Sequence, residues 1–97
     1  MTDFVDPTVR QLRDEISEVD RAIVEAVNAR LELVARVRRH KATVGIPFVD
    51  PDQERRLLDD LVDANRGPLS DDGLRELFRE LLDLTKREVS RDGGPDP

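Results

Sequence analysis

An uninterrupted apolar repeat near the start of the chain restricts its fold more than any other feature. No glycine or proline stands between Pro7 and Gly45, and apolar residues recur there at spacings of three, four and seven. This periodicity places them on one side of an α-helix. Asp6-Pro7 has the form of an N-cap followed by proline at the first helical position, and Gly45 with Pro47 is typical of a helix end. The pattern predicts one helix of about 37 residues, roughly 55 Å long at ~1.5 Å per residue. The residues of this apolar stripe are Val9, Leu12, Ile16, Val19, Ile23, Val27, Val34 and Val37.

Two shorter helices are predicted to follow. Asp50-Pro51 repeats the start signal, with Gln53 in the third helical position of a capping box. The run Asn65–Pro68 ends this second helix, and Ser70 caps a third. Both helices carry an apolar face. Its residues are Leu57, Leu58, Leu61 and Val62 in the second helix, and Leu74, Leu77, Phe78, Leu81, Leu82 and Val89 in the third.

Composition fits an all-α fold and excludes several chemistries. Charged residues make up 39% of the chain, and it has three Phe but no Tyr or Trp, which favours amphipathic helices over a sheet. The absence of cysteine excludes a disulfide scaffold and a thiol nucleophile. Because His40 is the single histidine, we expect no multi-histidine metal site unless a second chain contributes ligands.

The net charge and the N-terminal residues indicate which partners and which cellular location to expect. The net charge of −6 argues against nucleic-acid binding and against an anionic membrane surface. The first residues lack the basic and apolar regions of a signal peptide, and no apolar run is long enough for a membrane span. We therefore expect a cytoplasmic domain over residues 6–91, between a flexible N-terminus at 1–5 and a disordered tail at 92–97.

The helix lengths predict a second copy of the chain. The short loop at residues 66–69 favours antiparallel packing of the second and third helices, so together they cannot line the first helix along its length. Much of its apolar stripe would then face water. An intertwined homodimer, with three helices per chain, removes this exposure. The alternative is a monomeric three-helix bundle with a frayed long helix.

Two cations stand where apolar residues are expected. Arg30 lies seven residues after Ile23, only ~20° around the helix from it, and Lys41 lies eleven residues after Arg30, again displaced by ~20°. A small molecule fits near both. Arg13 is displaced by ~100° from Arg30 and is placed to serve a neighbouring chain. The structural alternative is that the stems cover apolar surface and that Lys41 complements the helix dipole.

The start of the second helix carries an acidic pair. Asp50 and Glu54 are four residues apart. Asp50 is first of all an N-cap, and Glu54 near the positive helix end suits either a surface charge or a hydrogen-bond acceptor in a pocket. The basic run Arg36–Lys41 is explained by solvated cations at a helix C-terminus, and His40 is expected outside the site.

These residues occur in an order that resembles a known family. They are Leu12-Arg13-Asp14-Glu15-Ile16, Asp20, Ile23-Val24, Arg30, Lys41, Gly45, Pro47, Asp50-Pro51-Asp52-Gln53-Glu54, Asn65–Ser70 and Leu77–Glu80. From Thr8 to Val89 the chain is similar to the all-helical, type II chorismate mutases. The resemblance implies an intertwined helical dimer that converts chorismate to prephenate by Claisen rearrangement, in phenylalanine and tyrosine biosynthesis. It implies neither metal nor cofactor, since the protein positions a dianionic substrate and stabilises negative charge on its ether oxygen.

The resemblance assigns roles to three cations. Arg30 would bind a substrate carboxylate from its own chain, and Arg13 would reach the same substrate from the second copy. Lys41 matches the lysine that donates to the ether oxygen and to the ring hydroxyl.

Five further positions follow from the same resemblance. Glu54 matches the acceptor for the ring hydroxyl, Asp50 the loop residue whose backbone lies beside it, and Thr85 a small hydroxyl residue near the second carboxylate. Gln53 stands where the family has an arginine. Val89 stands where the family has the glutamine that supplies a second donor to the ether oxygen. Losing one preorganised donor costs ~10²–10³ in rate.

These two departures leave other functions open. The same fold could act on isochorismate, eliminating pyruvate, or on 4-amino-4-deoxychorismate. A catalyst weakened at Val89 would gain from an activating enzyme of the aromatic pathway. A third hypothesis is a non-catalytic helical dimer that regulates a partner enzyme.

Overall fold

Three α-helices make up the chain in the computed structural model, which describes the backbone of residues 6–93 and the side chains of residues 6–91. They are α1 (Pro7–Val44), α2 (Pro51–Ala64) and α3 (Asp71–Gly93). No strand occurs within residues 6–93. The all-α prediction with one long and two shorter helices is therefore confirmed.

The ends of α1 are formed by the residues that the sequence indicated. Asp6 Oδ1 accepts hydrogen bonds from the backbone amides of Thr8 at 2.8 Å and Val9 at 3.1 Å. At the other end Gly45 has φ 77°, and the amide of Ile46 donates to the Lys41 carbonyl at 2.9 Å. Glycine suits this left-handed position because it has no Cβ, so the turn stops the helix and satisfies one of its last carbonyls.

The caps of α2 and α3 agree with prediction except in one detail. Asp50 Oδ1 accepts from the Gln53 amide at 3.2 Å, and Ser70 Oγ accepts from the Gly73 amide at 3.0 Å. The side chain of Gln53 does not complete the predicted capping box, because its Oε1 accepts from Arg56 Nη2 at 3.1 Å instead.

Helix α3 ends later than predicted. It includes Asp92 and Gly93, which the sequence assigned to the tail. Neither residue is a proline, so the backbone hydrogen bonds of the last turn are available to both. The rest of the predicted tail, residues 94–97, and the predicted flexible N-terminus, residues 1–5, lie outside the described residues.

The chain divides into two units, one up to Glu32 and one from Leu33 onward. In the first unit, α1 buries none of its described side chains. Most of its apolar stripe is exposed, with fractions from 41% at Val9 to 59% at Val19, while Val27 is half-buried. No helix of residues 6–93 is long and apolar enough to cross a membrane.

In the second unit, α2 packs against α3. Asp59 of α2 pairs with Arg75 of α3 at 3.2 Å, and Glu54 pairs with Lys86 at 3.0 Å. The later residue of α2 meets the earlier residue of α3, so the two helices are antiparallel, as the short loop predicted. Their packing buries Leu58, Leu74, Thr85 and Val89.

Candidate active site

The two predicted arginines lie in the first unit. Arg13 is exposed on α1, and Arg30 is half-buried on the same helix. The other predicted residues, Lys41, Asp50, Gln53, Glu54, Thr85 and Val89, belong to the second unit. The structure therefore describes the site in two separate parts.

Lys41 is fixed to the loop between α1 and α2. Its side chain is half-buried, and its Nζ donates to the carbonyl oxygen of Phe48 at 3.2 Å. A lysine ammonium has three N–H groups, so donors remain for a further acceptor. The contact holds the cation beside the segment that leads into α2.

Asp50 and Gln53 both act in the first turn of α2. The Asp50 carboxylate is engaged as the N-cap, through the hydrogen bond from the Gln53 amide. Both residues are exposed. The cap therefore fixes the first turn of α2, the turn that carries Glu54.

Glu54 is paired with a residue that the sequence did not single out. Lys86 Nζ lies 3.0 Å from Glu54 Oε2 and 3.3 Å from Oε1, and the side chains of Lys86 and Glu54 are 34% and 29% exposed, respectively. Lys86 follows Thr85 directly and stands three residues before Val89. Antiparallel packing of α2 and α3 was the signal that could have located it, since this places the C-terminal half of α3 against the start of α2.

Thr85 and Val89 lie one helical turn apart and are both buried, with exposed fractions of 4% and 3%. The Thr85 hydroxyl donates to the Leu81 carbonyl at 2.6 Å. Val89 contributes to the apolar core rather than a polar contact. Of its polar neighbours, Glu88 pairs with Arg91 at 3.1 Å and Ser90 is exposed.

A surface cavity of about 400 Å³ lies between α2 and α3. Of the predicted site residues, Glu54 lines it; the other lining residues are Pro51, Arg55, Leu58, Arg79, Leu82 and Asp83. Glu54 thus both lines this cavity and pairs with Lys86. Among the described residues, no group of three His, Cys, Asp or Glu side chains is arranged to hold a metal ion.

The second unit therefore presents two ammonium groups and one carboxylate at half-buried positions: Lys41, Lys86 and Glu54. Lys86 and Glu54 lie 3.0 Å apart and can together bind a group that carries both an acceptor and a hydroxyl, with the ammonium as donor and the carboxylate as acceptor.

Residues 12–89 match the family model of chorismate mutase type II. The chain belongs to this family. The matched segment contains every predicted site residue, from Arg13 to Val89, which is the last residue matched.

The chain is also similar to several curated proteins. The chain is 26% identical over 78 residues to a bifunctional chorismate mutase/prephenate dehydratase of Aquifex aeolicus, covering 76% of this chain and 22% of that protein. It is 43% identical over 47 residues to the T-protein of Enterobacter agglomerans, covering 48% of this chain and 13% of that protein. The chain therefore spans less than a quarter of the length of these curated relatives.

A solved chorismate mutase has the same fold over nearly its whole length. The form II structure from Thermus thermophilus superposes with a TM-score of 0.82 at 31% identity. The superposition covers 87% of this chain and 96% of that one.

Proposed function

We propose that this chain is a chorismate mutase that rearranges chorismate to prephenate. The observation that carries the proposal is the family match over residues 12–89. This segment contains Arg13, Arg30, Lys41 and Glu54 in the order along the chain that resembles the family. The solved mutase of similar length from Thermus thermophilus supports it, because that protein consists of little more than the region matched here.

The proposed chemistry needs positioning and electrostatics. In the Claisen rearrangement the ether C–O bond breaks as a new C–C bond forms, and the ether oxygen gains negative charge in the transition state. A protein accelerates such a step by holding the folded conformer and by aiming fixed donors at that oxygen. Every atom of chorismate is kept in prephenate, so the step needs no proton from a side chain and no electron from a cofactor.

Each site residue has a part in this proposal. Arg30 binds one carboxylate, Arg13 reaches it from a second copy, and Thr85 lies near the other carboxylate. Lys41 donates to the ether oxygen and the ring hydroxyl, and the Glu54 carboxylate accepts from that hydroxyl. The Lys41–Phe48 contact supports this role for Lys41, because a donor that is already held in place needs little reorganisation during the reaction.

Asp50, Gln53 and Val89 complete the proposed site. Asp50 presents its backbone beside the hydroxyl while its side chain caps α2. Gln53 and Val89 take the places of an arginine and a glutamine, so the site has fewer donors than the family's pattern provides.

The active form in this proposal is an intertwined homodimer. The support is the exposed apolar stripe of α1, in which Leu12, Ile16 and Ile23 are each more than half exposed. A contiguous apolar patch of this kind marks an interaction surface. Two copies that pair through α1 would bury the stripe and bring Arg13 of one copy to the site of the other.

The proposed place of the reaction is the cytoplasmic pathway to phenylalanine and tyrosine. The Aquifex aeolicus relative is named for chorismate mutase and prephenate dehydratase together, which links the mutase step to an enzyme that consumes prephenate. An enzyme of the aromatic pathway is accordingly the proposed activating partner.

The test is to incubate the purified protein with chorismate. Conversion is measured as the loss of ultraviolet absorbance of the chorismate diene, and the product is then identified as prephenate. Lys41→Ala is expected to lower kcat/KM by at least ~10²–10³ because it removes a preorganised donor. Arg39→Ala is the matched control, since Arg39 is an exposed cation two residues earlier on the same helix. Equal activity in both variants would contradict the role of Lys41.

The same assay decides between the remaining functions. Turnover of isochorismate or 4-amino-4-deoxychorismate in place of chorismate would keep the fold and change the substrate. No turnover of any of the three, alone or with enzymes of the aromatic pathway, would favour a non-catalytic dimer.

A further inference from the structure

The Glu54–Lys86 pair differs from the other ion pairs described for the second unit because both of its side chains are mostly enclosed. Glu54 and Lys86 are 29% and 34% exposed, whereas each other pair has a partner that is largely exposed: Asp52 at 67%, Asp59 at 68% and Arg91 at 76%. Removing charges from water is unfavourable unless other interactions compensate. A half-enclosed pair of this kind therefore needs a reason beyond surface charge.

Connecting α2 to α3 does not supply that reason. The Asp59–Arg75 pair already joins the two helices, with Asp59 68% exposed. The distinctive feature of Lys86 is its neighbours. It stands between buried Thr85 and buried Val89 on α3, and its ammonium lies against Glu54, the proposed hydroxyl acceptor.

The number of donors on Lys86 is also informative. Its ammonium has three N–H groups, and the contacts with the two oxygens of Glu54 engage at most two of them. At least one N–H therefore remains for a further acceptor close to the Glu54 carboxylate. Lysine carries its charge on a long flexible stem, so the ammonium can follow a bound anion while staying near Glu54.

We propose that Lys86 is a further catalytic residue, one that donates to the ether oxygen of the substrate and thereby replaces the donor missing at Val89. This inference rests on the function proposed above. Glu54 positions the ammonium, and the charged donor of Lys86 substitutes for a neutral amide one turn later on the same helix. Hydrogen bonds from a charged donor are stronger than those between neutral groups, so one lysine can compensate for one lost amide.

The first test is Lys86→Met, which keeps a long apolar stem and removes the charge. Because an ether oxygen gains its charge only in the transition state, kcat for chorismate is expected to fall by ~10²-fold or more while KM changes less than about threefold. Arg87→Met is the matched control, with the same loss of one charge at the next, exposed position of α3; its kcat is expected to stay close to that of wild type. Circular dichroism melts of both variants check folding.

The second test asks whether Lys86 and residue 89 share one role. Val89→Gln in the Lys86→Met background is expected to restore kcat by about tenfold or more, because it returns a preorganised donor. Val89→Gln alone should raise kcat far less, because the role is already filled. If the Gln variants do not fold in the buried site, the Lys86→Met and Arg87→Met comparison decides alone.

The outcomes separate the two proposals. Prephenate formation by wild type with unchanged kcat in Lys86→Met, or a rise in KM alone, overturns the Lys86 role and leaves the mutase function standing. A wild type that forms no prephenate overturns both. A fall in kcat with little change in KM, together with an unaffected Arg87→Met, supports both.

Discussion

The two units of the chain differ in how far their apolar residues are buried. In the second unit, α2 and α3 turn Leu58, Leu74 and Val89 toward each other, and each is buried. In the first unit, α1 has the longer apolar stripe and buries none of it. Amphipathic sequence alone therefore does not determine burial: α2 and α3 pack against each other, while most of the apolar face on the first part of α1 stays exposed in the single chain.

This difference separates the requirements for stability from those for activity. The folding free energy of one chain depends on the α2–α3 core, because apolar burial is the main favourable term. The proposed activity depends on α1 as well, since Arg13 and Arg30, two residues of the proposed site, are both on it. Substitutions in the two regions should consequently change different measurements.

The largest effect is expected from a charge in the middle of the α1 stripe. Ile16→Glu places a carboxylate in the proposed dimer interface, where burying an unpaired charge is strongly unfavourable. We expect the protein to become monomeric by analytical ultracentrifugation, and chorismate turnover to fall to background because Arg13 no longer reaches the second site.

Arg21→Gln is the control for this change. It alters the net charge by the same single unit, but it lies five residues further along α1, displaced by ~140° from Ile16. The control should remain dimeric. If Ile16→Glu also stayed dimeric, the exposed stripe would not be the interface.

The second largest effect is expected from shortening a side chain in the α2–α3 core. Leu74→Ala is expected to lower the free energy of unfolding by about 2–4 kcal/mol, because Leu74 is 5% exposed and its loss leaves a cavity. Leu77→Ala on the same helix, 54% exposed, should cost less than about 1 kcal/mol. Urea unfolding measures both. Equal losses would mean that a second molecule covers Leu77 as fully as α2 covers Leu74.

The turn at the end of α1 should contribute less. Gly45→Ala is expected to cost about 1 kcal/mol, because φ 77° is unfavourable for a residue with a Cβ although there is open space around it. Gly67 does not have a positive φ, and a Cβ added there would lie 3.9 Å from its nearest atom, so Gly67→Ala should leave the stability almost unchanged. Thermal melts of the two variants distinguish backbone strain from crowding, and a neutral Gly45→Ala would argue against strain.

The smallest effect is expected at the exposed end of the helix pair. Arg75→Ala should destabilise the protein by at most about 1 kcal/mol, because its partner Asp59 is largely in water. A double-mutant cycle with Asp59→Ala measures the coupling, which should weaken as salt is added. Coupling well above this range would indicate a pair that is more enclosed than its exposure suggests.

Local signals were sufficient to predict most of the fold. The caps at Asp6, Asp50 and Ser70 and the left-handed Gly45 each depend on residues within a few positions, so the sequence contains the whole of the interaction. Where two local partners compete, prediction failed: Gln53 bonds to Arg56 rather than back to the cap. The end of α3 was also set too early, because glycine weakens a helix without preventing its last turn.

The candidate site was less predictable because part of it depends on packing. Arg13, Arg30, Lys41 and Glu54 were identified from spacing and from the resemblance, both of which follow the order of the chain. Lys86 was missed because its partner Glu54 is 32 residues away and on another helix. Such a contact exists only once the antiparallel alignment of α2 and α3 is known.

Two hydrogen bonds connect Lys41 to the loop between α1 and α2. The Ile46 amide donates to the Lys41 carbonyl, and the Lys41 ammonium donates to the Phe48 carbonyl. Its length is thereby coupled to the position of a proposed catalytic cation. One inserted residue adds up to ~3.5 Å of chain, more than the 3.2 Å between Lys41 Nζ and the Phe48 carbonyl oxygen. In an evolving lineage this loop should therefore resist insertions and deletions, so that its length is inherited as strictly as the identity of Lys41.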